Sequence, residues 1–177
     1  MAYTVTDLLR LPRGPISLAD HDPGDTSGFD GTKKQAQKAL TDLGEELADL
    51  QERLYADAYT GGSRRMLLVL QGMDTSGKGG VVDHVLGLVN PHGLRLKTFR
   101  KPTAEELAHD FLWRVEQALP EAGVIGAFDR SHYEDVLIGR VHELADEAEI
   151  ERRYGAINDF EKRLVDDGTV VIKCMLH

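Results

Sequence analysis

The stretch Met66-Leu-Leu-Val-Leu-Gln-Gly-Met-Asp-Thr-Ser-Gly-Lys-Gly-Gly80 decides the fold. Met66–Leu70 is an apolar run of strand length that leads directly into Gly72-x4-Gly77-Lys78, then Gly79 and Gly80. Beyond the glycines, Val81, Val82, Val85, Leu86 and Val89 recur at helical spacing. A buried strand, a glycine-rich loop and a helix in that order build a phosphate cradle. Backbone N–H groups of Gly72, Thr75, Ser76, Gly77, Gly79 and Gly80 converge on the anion, and the helix start adds positive dipole. Lys78 supplies a mobile charge for the outer phosphates. The pattern predicts a protein that binds a phosphate chain.

The residue after Lys78 is Gly79, where a phosphate-binding loop of this kind usually carries a Ser or Thr that holds Mg²⁺. A carboxylate, Asp74, sits inside the loop instead. Beside bound phosphates it needs a cation or a proton between, so it is either a metal ligand or base, or an Asx-type turn residue that shapes the loop. A second apolar run, Gly123–Phe128, ends in Asp129-Arg130-Ser131-His132-Tyr133-Glu134-Asp135. A carboxylate at the C-terminal end of a buried strand is where an α/β kinase places a second metal ligand, and Arg130 can neutralise a transferring phosphoryl group. The alternative is that Asp129 and Ser131 only cap the next helix, since Ser131-x-x-Glu134 reads as a capping box. His132 neighbours this second metal position.

Composition sets the class. The chain has 177 residues, enough for one core that buries about 70% of its unfolded surface. Its single Cys cannot form an internal disulfide, no Cys/His spacing resembles a zinc site, and no signal-length or membrane-length apolar run occurs. Cytoplasm is the expected location, with no membrane partner. The net charge of −9 argues at first against a polyanionic ligand, but fields act locally. Acidic residues crowd into 42–57 and 143–151, while Lys97, Arg100, Lys101, Arg114, Arg130 and Arg140 group in the middle and predict a basic channel. Aromatic content of 6% without aromatic-basic interleaving argues against nucleic acid as a partner.

Periodicity orders the elements. Residues 1–31, rich in Pro, Gly and Asp, predict an irregular arm, and residues 32–177 form the core. Leu40, Leu43, Leu47, Leu50 and Leu54 stripe a helix from Thr32 to Ala58, either a short dimerising coil or, as the brevity of the stripe favours, a face packed on the sheet. A second strand spans Leu94–Phe99; Pro102 and the capping box Thr103-x-x-Glu106 start a helix with Leu107, Phe111, Leu112 and Val115 inward. Residues 146–166 predict another helix, and 168–177 a final core strand. Strand–helix alternation with long crossovers predicts an α/β fold, a parallel sheet with helices on both faces and the ligand at the C-terminal strand ends.

The motifs Gln71–Gly80, Phe99-Arg-Lys-Pro-Thr103, His109-Asp-Phe-Leu-Trp-Arg114 and Phe128–Val136 resemble those of the polyphosphate kinase 2 family. Gly28–Lys33, Gln51–Tyr55 and Arg153–Asn158 are similar to it as well. The resemblance implies a P-loop kinase-like phosphotransferase that moves a phosphoryl group between inorganic polyphosphate and a nucleoside mono- or diphosphate. It implies Mg²⁺, or Mn²⁺ in its place, and assembly as a homo-oligomer. Asp74, Lys78, Asp129 and Arg130 match the family's metal- and phosphate-binding residues, with Asp74 and Asp129 on the metal. Lys101, His132, Tyr133 and Glu134 are secondary candidates. The family continues from the last strand into a lid that carries arginines, so the resemblance implies a core truncated at that point. An ATP-dependent nucleotide or small-molecule kinase, or a catalytically crippled phosphate-binding remnant, are the alternatives.

Overall fold

A computed structural model describes residues 5–143 and 145–177. Strand β1 (Arg65–Gly72) lies between β3 (Ile125–Asp129) and β4 (Thr169–Leu176), and β2 (Leu94–Thr98) flanks β3 in an all-parallel sheet ordered β2-β3-β1-β4. Parallel neighbours need long crossovers, and helices fill them: α3 (Lys78–His84) between β1 and β2, α4 (Ala104–Leu107) and α5 (Trp113–Glu116) between β2 and β3, and α6 (Glu134–Val141) and α7 (Glu147–Asp166) between β3 and β4, while α1 (Val5–Leu9) and α2 (Lys33–Tyr59) precede the first strand. Strand alternation sends Leu67 and Val69 of β1 and Phe128 of β3 to one face, where Val115 of α5, Val136 of α6 and Ile157, Phe160 and Leu164 of α7 bury them. Leu70, Ile125 and Ala127 are buried on the opposite face, where α3 contacts β1 and β3. No helix among the described residues is long and apolar enough to cross a membrane.

Several elements depart from their sequence patterns for local reasons. The arm holds one short helix, α1, and a 3₁₀ turn at Leu18–Asp20, all of it exposed from residue 5 to 31. Helix α2 starts at the capping box of Thr32 with Gln35, but its leucines do not form one buried stripe. Leu43 and Leu50 are exposed, and the buried positions are Gly44 and Gln51. The helix rests on the 3₁₀ turns at Leu86–Leu88 and Pro91–Gly93 rather than on the sheet by its leucines. A Cβ at Gly44 would lie 2.7 Å from Leu88, and Gln51 fills the space over Gly93. The helix after the glycine loop ends at His84, and Leu86 enters the core from the following turn instead. Thr103 and Glu106 form their capping box, yet the helix stops at Leu107, which is 69% exposed. Asp110 interrupts it by accepting from Leu112 N–H at 3.0 Å, and α5 restarts from there with Val115 fully buried.

Arg114 is the strongest polar tie in this half of the fold. Its side chain is 7% exposed; it donates to the Arg100 carbonyl at 2.9 Å and to Asp135 Oδ2 at 3.0 Å, with Glu106 Oε2 at 3.7 Å. Its guanidinium also stands over the Phe99 ring, 5.4 Å from the centroid. It therefore joins the segment after β2 to the start of α6, and is not one of the channel cations that the sequence pattern suggested. Arg114→Met strands the largely covered Asp135 carboxylate, while Glu106 keeps its bond from Thr103 N–H at 2.9 Å, and we expect a loss of about 3 kcal/mol in urea unfolding. Arg114→Lys should not restore it, because an ammonium cannot span the same acceptors.

Candidate phosphate-binding site

The site forms where the C-terminal ends of β1, β2 and β3 meet. Pairing of Leu70 with Asp129 and of Thr98 with Asp129 brings the glycine loop, the β2 end and the β3 end to one opening. The cavity there, about 510 Å³, is lined by Asp74, Thr75, Gly77, Lys78 and Gly79 of the loop, Thr98–Lys101 after β2, and Asp129 and Arg130 after β3. Four cations face two carboxylates across it, so the cavity is positive within a chain of net charge −9.

The loop has the backbone such a cradle requires. Gly77 has φ 98°, a left-handed conformation that a side chain disfavours, and it immediately precedes α3. Gly72 is required for a different reason. A Cβ there would lie 2.4 Å from the Leu176 carbonyl and 2.6 Å from Ser76 Oγ, so β4 and the loop both close upon it. Thr75 takes φ 72° with a side chain present. Lys78 is buried and donates to the carbonyls of Gly72 and Met73 at 2.7 and 2.6 Å. Those bonds hold the ammonium at the base of the loop and leave one of its three donors for a ligand oxygen. Asp74 is 82% exposed and accepts from Arg130 Nη2 at 2.6 Å. An exposed pair of this kind is worth only about 0–1 kcal/mol, so an arriving phosphate separates it at little cost.

Arg130 leaves β3 at φ 62°, while its N–H continues the ladder to the Leu70 carbonyl at 3.1 Å. The capping box expected at Ser131 and Glu134 does not form, because α6 begins two residues too late for it, after Tyr133. Gln71 takes both side chains instead: Ser131 Oγ donates to Gln71 Oε1 at 3.2 Å, and Gln71 Nε2 donates to Glu134 Oε1 at 2.6 Å. His132 is fully buried and turned from the cavity, with Nε2 3.2 Å from Glu161 Oε1. Tyr133 donates to the same oxygen at 2.7 Å, and burial followed by that bond pushes its hydroxyl up to about 12.

Of the residues the sequence singled out, Asp74, Thr75, Gly77, Lys78, Gly79, Lys101, Asp129 and Arg130 line one cavity. Gly72 and Ser76 shape the loop from below, and Gly80 does not line the cavity. His132, Tyr133 and Glu134 stand behind the site as its supports. The basic channel is smaller than the sequence suggested: Lys97 lies over Phe99 at 5.7 Å, and Arg140 pairs with Glu147 at 3.2 Å. Arg100, expected only as one of the channel cations, lines the cavity directly, since it follows the C-terminal end of β2. Gln71 opens the glycine-loop motif, but nothing in the sequence pairs it with Ser131 and Glu134, and Glu161 lies in no motif.

A family model described as polyphosphate kinase 2 (PPK2) matches residues 30–177. A Meiothermus ruber protein named AMP/ADP-polyphosphate phosphotransferase is 46% identical over 166 residues, which are 94% of this chain and 61% of the relative. A Rhodopseudomonas palustris protein named ADP-polyphosphate phosphotransferase is 40% identical over 167 residues, 88% of this chain and 56% of that one. The crystal structure of polyphosphate kinase 2 from Arthrobacter aurescens TC1 superposes with a TM-score of 0.95 at 52% identity, covering 99% of this chain and 62% of that chain. The chain thus spans between 56% and 62% of the length of these relatives.

The glycines of the loop are separable by experiment. Gly72→Ala and Gly77→Ala should each destabilise the protein by about 1–3 kcal/mol, from the clash at one and the left-handed backbone at the other. A Cβ at Gly79 meets nothing within 4 Å, so Gly79→Ala should leave the unfolding midpoint unchanged or raise it.

Proposed function

The chain belongs to the polyphosphate kinase 2 family, and we propose that its cavity carries out Mg²⁺-dependent transfer of a phosphoryl group between inorganic polyphosphate and a nucleoside mono- or diphosphate. The observation that carries this is the convergence of Lys78, Arg100, Lys101 and Arg130 with Asp74 and Asp129 on one opening at the strand ends. A linear polyanion needs a row of cations rather than a single pocket, and the row runs from the glycine loop across to the segment after β2. The relatives' names supply the substrate class: one is called AMP/ADP-polyphosphate phosphotransferase, another ADP-polyphosphate phosphotransferase.

The residues present suit Mg²⁺, or Mn²⁺, of the kind shared with a substrate. Among the described residues no group of three or more His, Cys, Asp or Glu is placed to hold a metal by itself. Asp74 and Asp129 line the same cavity, and Mg²⁺ at phosphate sites typically takes one or two carboxylates and completes its octahedron with phosphate oxygens and water. When bound, the ion neutralises charge on bridging phosphate oxygens.

The side chains have complementary tasks. Lys78, anchored to the Gly72 and Met73 carbonyls, directs its free donor at a terminal phosphate oxygen. Arg130 exchanges its bond to Asp74 for the equatorial oxygens of the phosphoryl group in flight, which frees Asp74 for the cation. Arg100 and Lys101 hold the remainder of the phosphate chain in line. The attacking atom is an acceptor phosphate oxygen that is already anionic, so positioning and charge neutralisation suffice and no strong base is called for. A cytoplasmic setting and a homo-oligomer accompany this reading; the exposed Leu43 and Leu50, one above the other on α2, supply an apolar strip for a second copy. Neither nucleic acid nor membrane enters as a partner.

Purified protein given polyphosphate, Mg²⁺ and AMP or ADP should form ADP or ATP, and the product should vanish when polyphosphate is omitted. Transfer that persists with ATP as the sole donor would instead mark an ordinary ATP-dependent kinase. Lys78→Ala should lower the rate by on the order of 10²–10³, the scale for loss of one preorganised donor. Asp74→Asn should raise the Mg²⁺ concentration for half-maximal rate by about tenfold or more, and an unchanged titration would leave Asp74 as a turn residue only.

A further inference from the structure

Behind the cavity lies a partly buried cluster to which the proposed chemistry assigns no step. Glu161 of α7, 13% exposed, is its hub. One carboxylate oxygen meets His132 Nε2 at 3.2 Å and accepts from Tyr133 Oη at 2.7 Å; the other accepts from Lys173 Nζ of β4 at 2.6 Å. Lys173 also donates to Tyr133 Oη at 3.0 Å, which closes the ring of contacts. Burial alone would raise the Glu161 carboxyl, but hydrogen bonds from His132, Lys173 and Tyr133 outweigh it and hold it at about 2. The ionised carboxylate is acceptor only, so His132 Nε2–H donates to it, and the buried Nδ1 is left without a partner.

The cluster directly follows a strained turn. His132 and Tyr133 follow Arg130, whose left-handed φ of 62° costs about 1–3 kcal/mol and persists only where neighbours over-determine it. Upstream, Arg130 N–H is held by the Leu70 carbonyl and the Asp129 carbonyl by Phe99 N–H, at 3.1 and 3.2 Å. Downstream, the hold comes from Gln71 on Ser131 and from Glu161 on the two residues after it. Without the downstream hold, the turn is free to relax toward the right-handed region and carry the guanidinium away from the cavity.

We propose that Glu161 is a positioning residue for phosphate binding: by fastening His132 and Tyr133 to α7 and β4 it keeps Arg130 in its strained conformation, aimed into the cavity. The inference rests on the phosphate-binding reading of that cavity, and two measurements separate them. The first is amide hydrogen exchange across residues 129–134 without ligand. Glu161→Gln, which keeps shape and removes charge, should speed exchange in that turn and leave the β1 amides unchanged. The second is binding of inorganic tripolyphosphate with Mg²⁺ by calorimetry in a double-mutant cycle. Glu161→Gln should weaken binding by about fivefold in the native background and not at all in Arg130→Ala, since it acts through that residue. Unchanged exchange in the turn overturns the proposal. So does equal weakening in both backgrounds, or faster exchange with unaltered affinity, each of which makes Glu161 a purely structural ion-pair residue. Absence of tripolyphosphate binding in the native protein, by contrast, refutes the phosphate-binding reading and this inference with it. If Glu161→Gln does not fold, the pair Glu161→Gln with Lys173→Met, which leaves no unpaired buried charge, takes its place in both measurements with the same criteria.

Discussion

Everything at the site depends on the parallel pairing of β1 with β3. Leu70, with no exposed surface, lies opposite Asp129, and the next rung is the Arg130 N–H on the Leu70 carbonyl. Parallel register makes the two strands end at the same edge. A phosphate loop from one and a carboxylate–guanidinium pair from the other then meet with no further device. Antiparallel pairing of the same two strands would place their C-terminal ends at opposite edges of the sheet. The β1–β4 pairing adds a second constraint, since the Leu176 carbonyl closes over Gly72 and forbids a side chain at the root of the loop.

The polar contacts around the cavity differ in kind, and the difference follows burial. Asp74 and Arg130 meet in the open, 82% and 39% exposed, where water supports each charge almost as well as the partner does. Arg114 with Asp135 lies behind the surface, and so does the Glu161 carboxylate that half-exposed Lys173 reaches, so that losing the partner strands these charges in a poor solvent. The exchangeable contacts therefore face the ligand and the fixed ones face the core. Lys78 stands between these extremes: it is buried and bonded only to neutral carbonyls, so its charge is oriented and not cancelled.

The sheet, its direction and most of the cavity were legible because they rest on local patterns. Met66–Leu70 is apolar over a strand's length, the glycine loop follows it without a break, and Asp129-Arg130 ends the next such run. What was not legible depended on packing between distant segments. Ser131 and Glu134 have the spacing of a capping box, but Gln71 from another strand binds both side chains and the helix starts later. The leucines of α2 have helical spacing, but which of them are buried was decided by the turns at 86–88 and 91–93, so Gly44 and Gln51 face inward while Leu43 and Leu50 do not. Arg114 looked like one more channel cation, since sequence alone does not reveal that Asp135 and Glu106 converge on it.

The distribution of backbone strain supports the same division between ligand-facing and supporting residues. Among the described residues, non-glycine positions with positive φ are Thr75, Arg130 and Glu143. Glu143 follows the end of α6, where a single left-handed residue commonly terminates a helix. Thr75 and Arg130 both line the cavity, from different strand ends. Glycine would adopt either conformation without the penalty of about 1–3 kcal/mol, and the chain uses glycine freely elsewhere in the same loop. At position 130 that relief would delete the guanidinium that pairs with Asp74. The strain therefore sits where the side chain is needed, and the rigid cluster behind it is what allows the backbone to remain there.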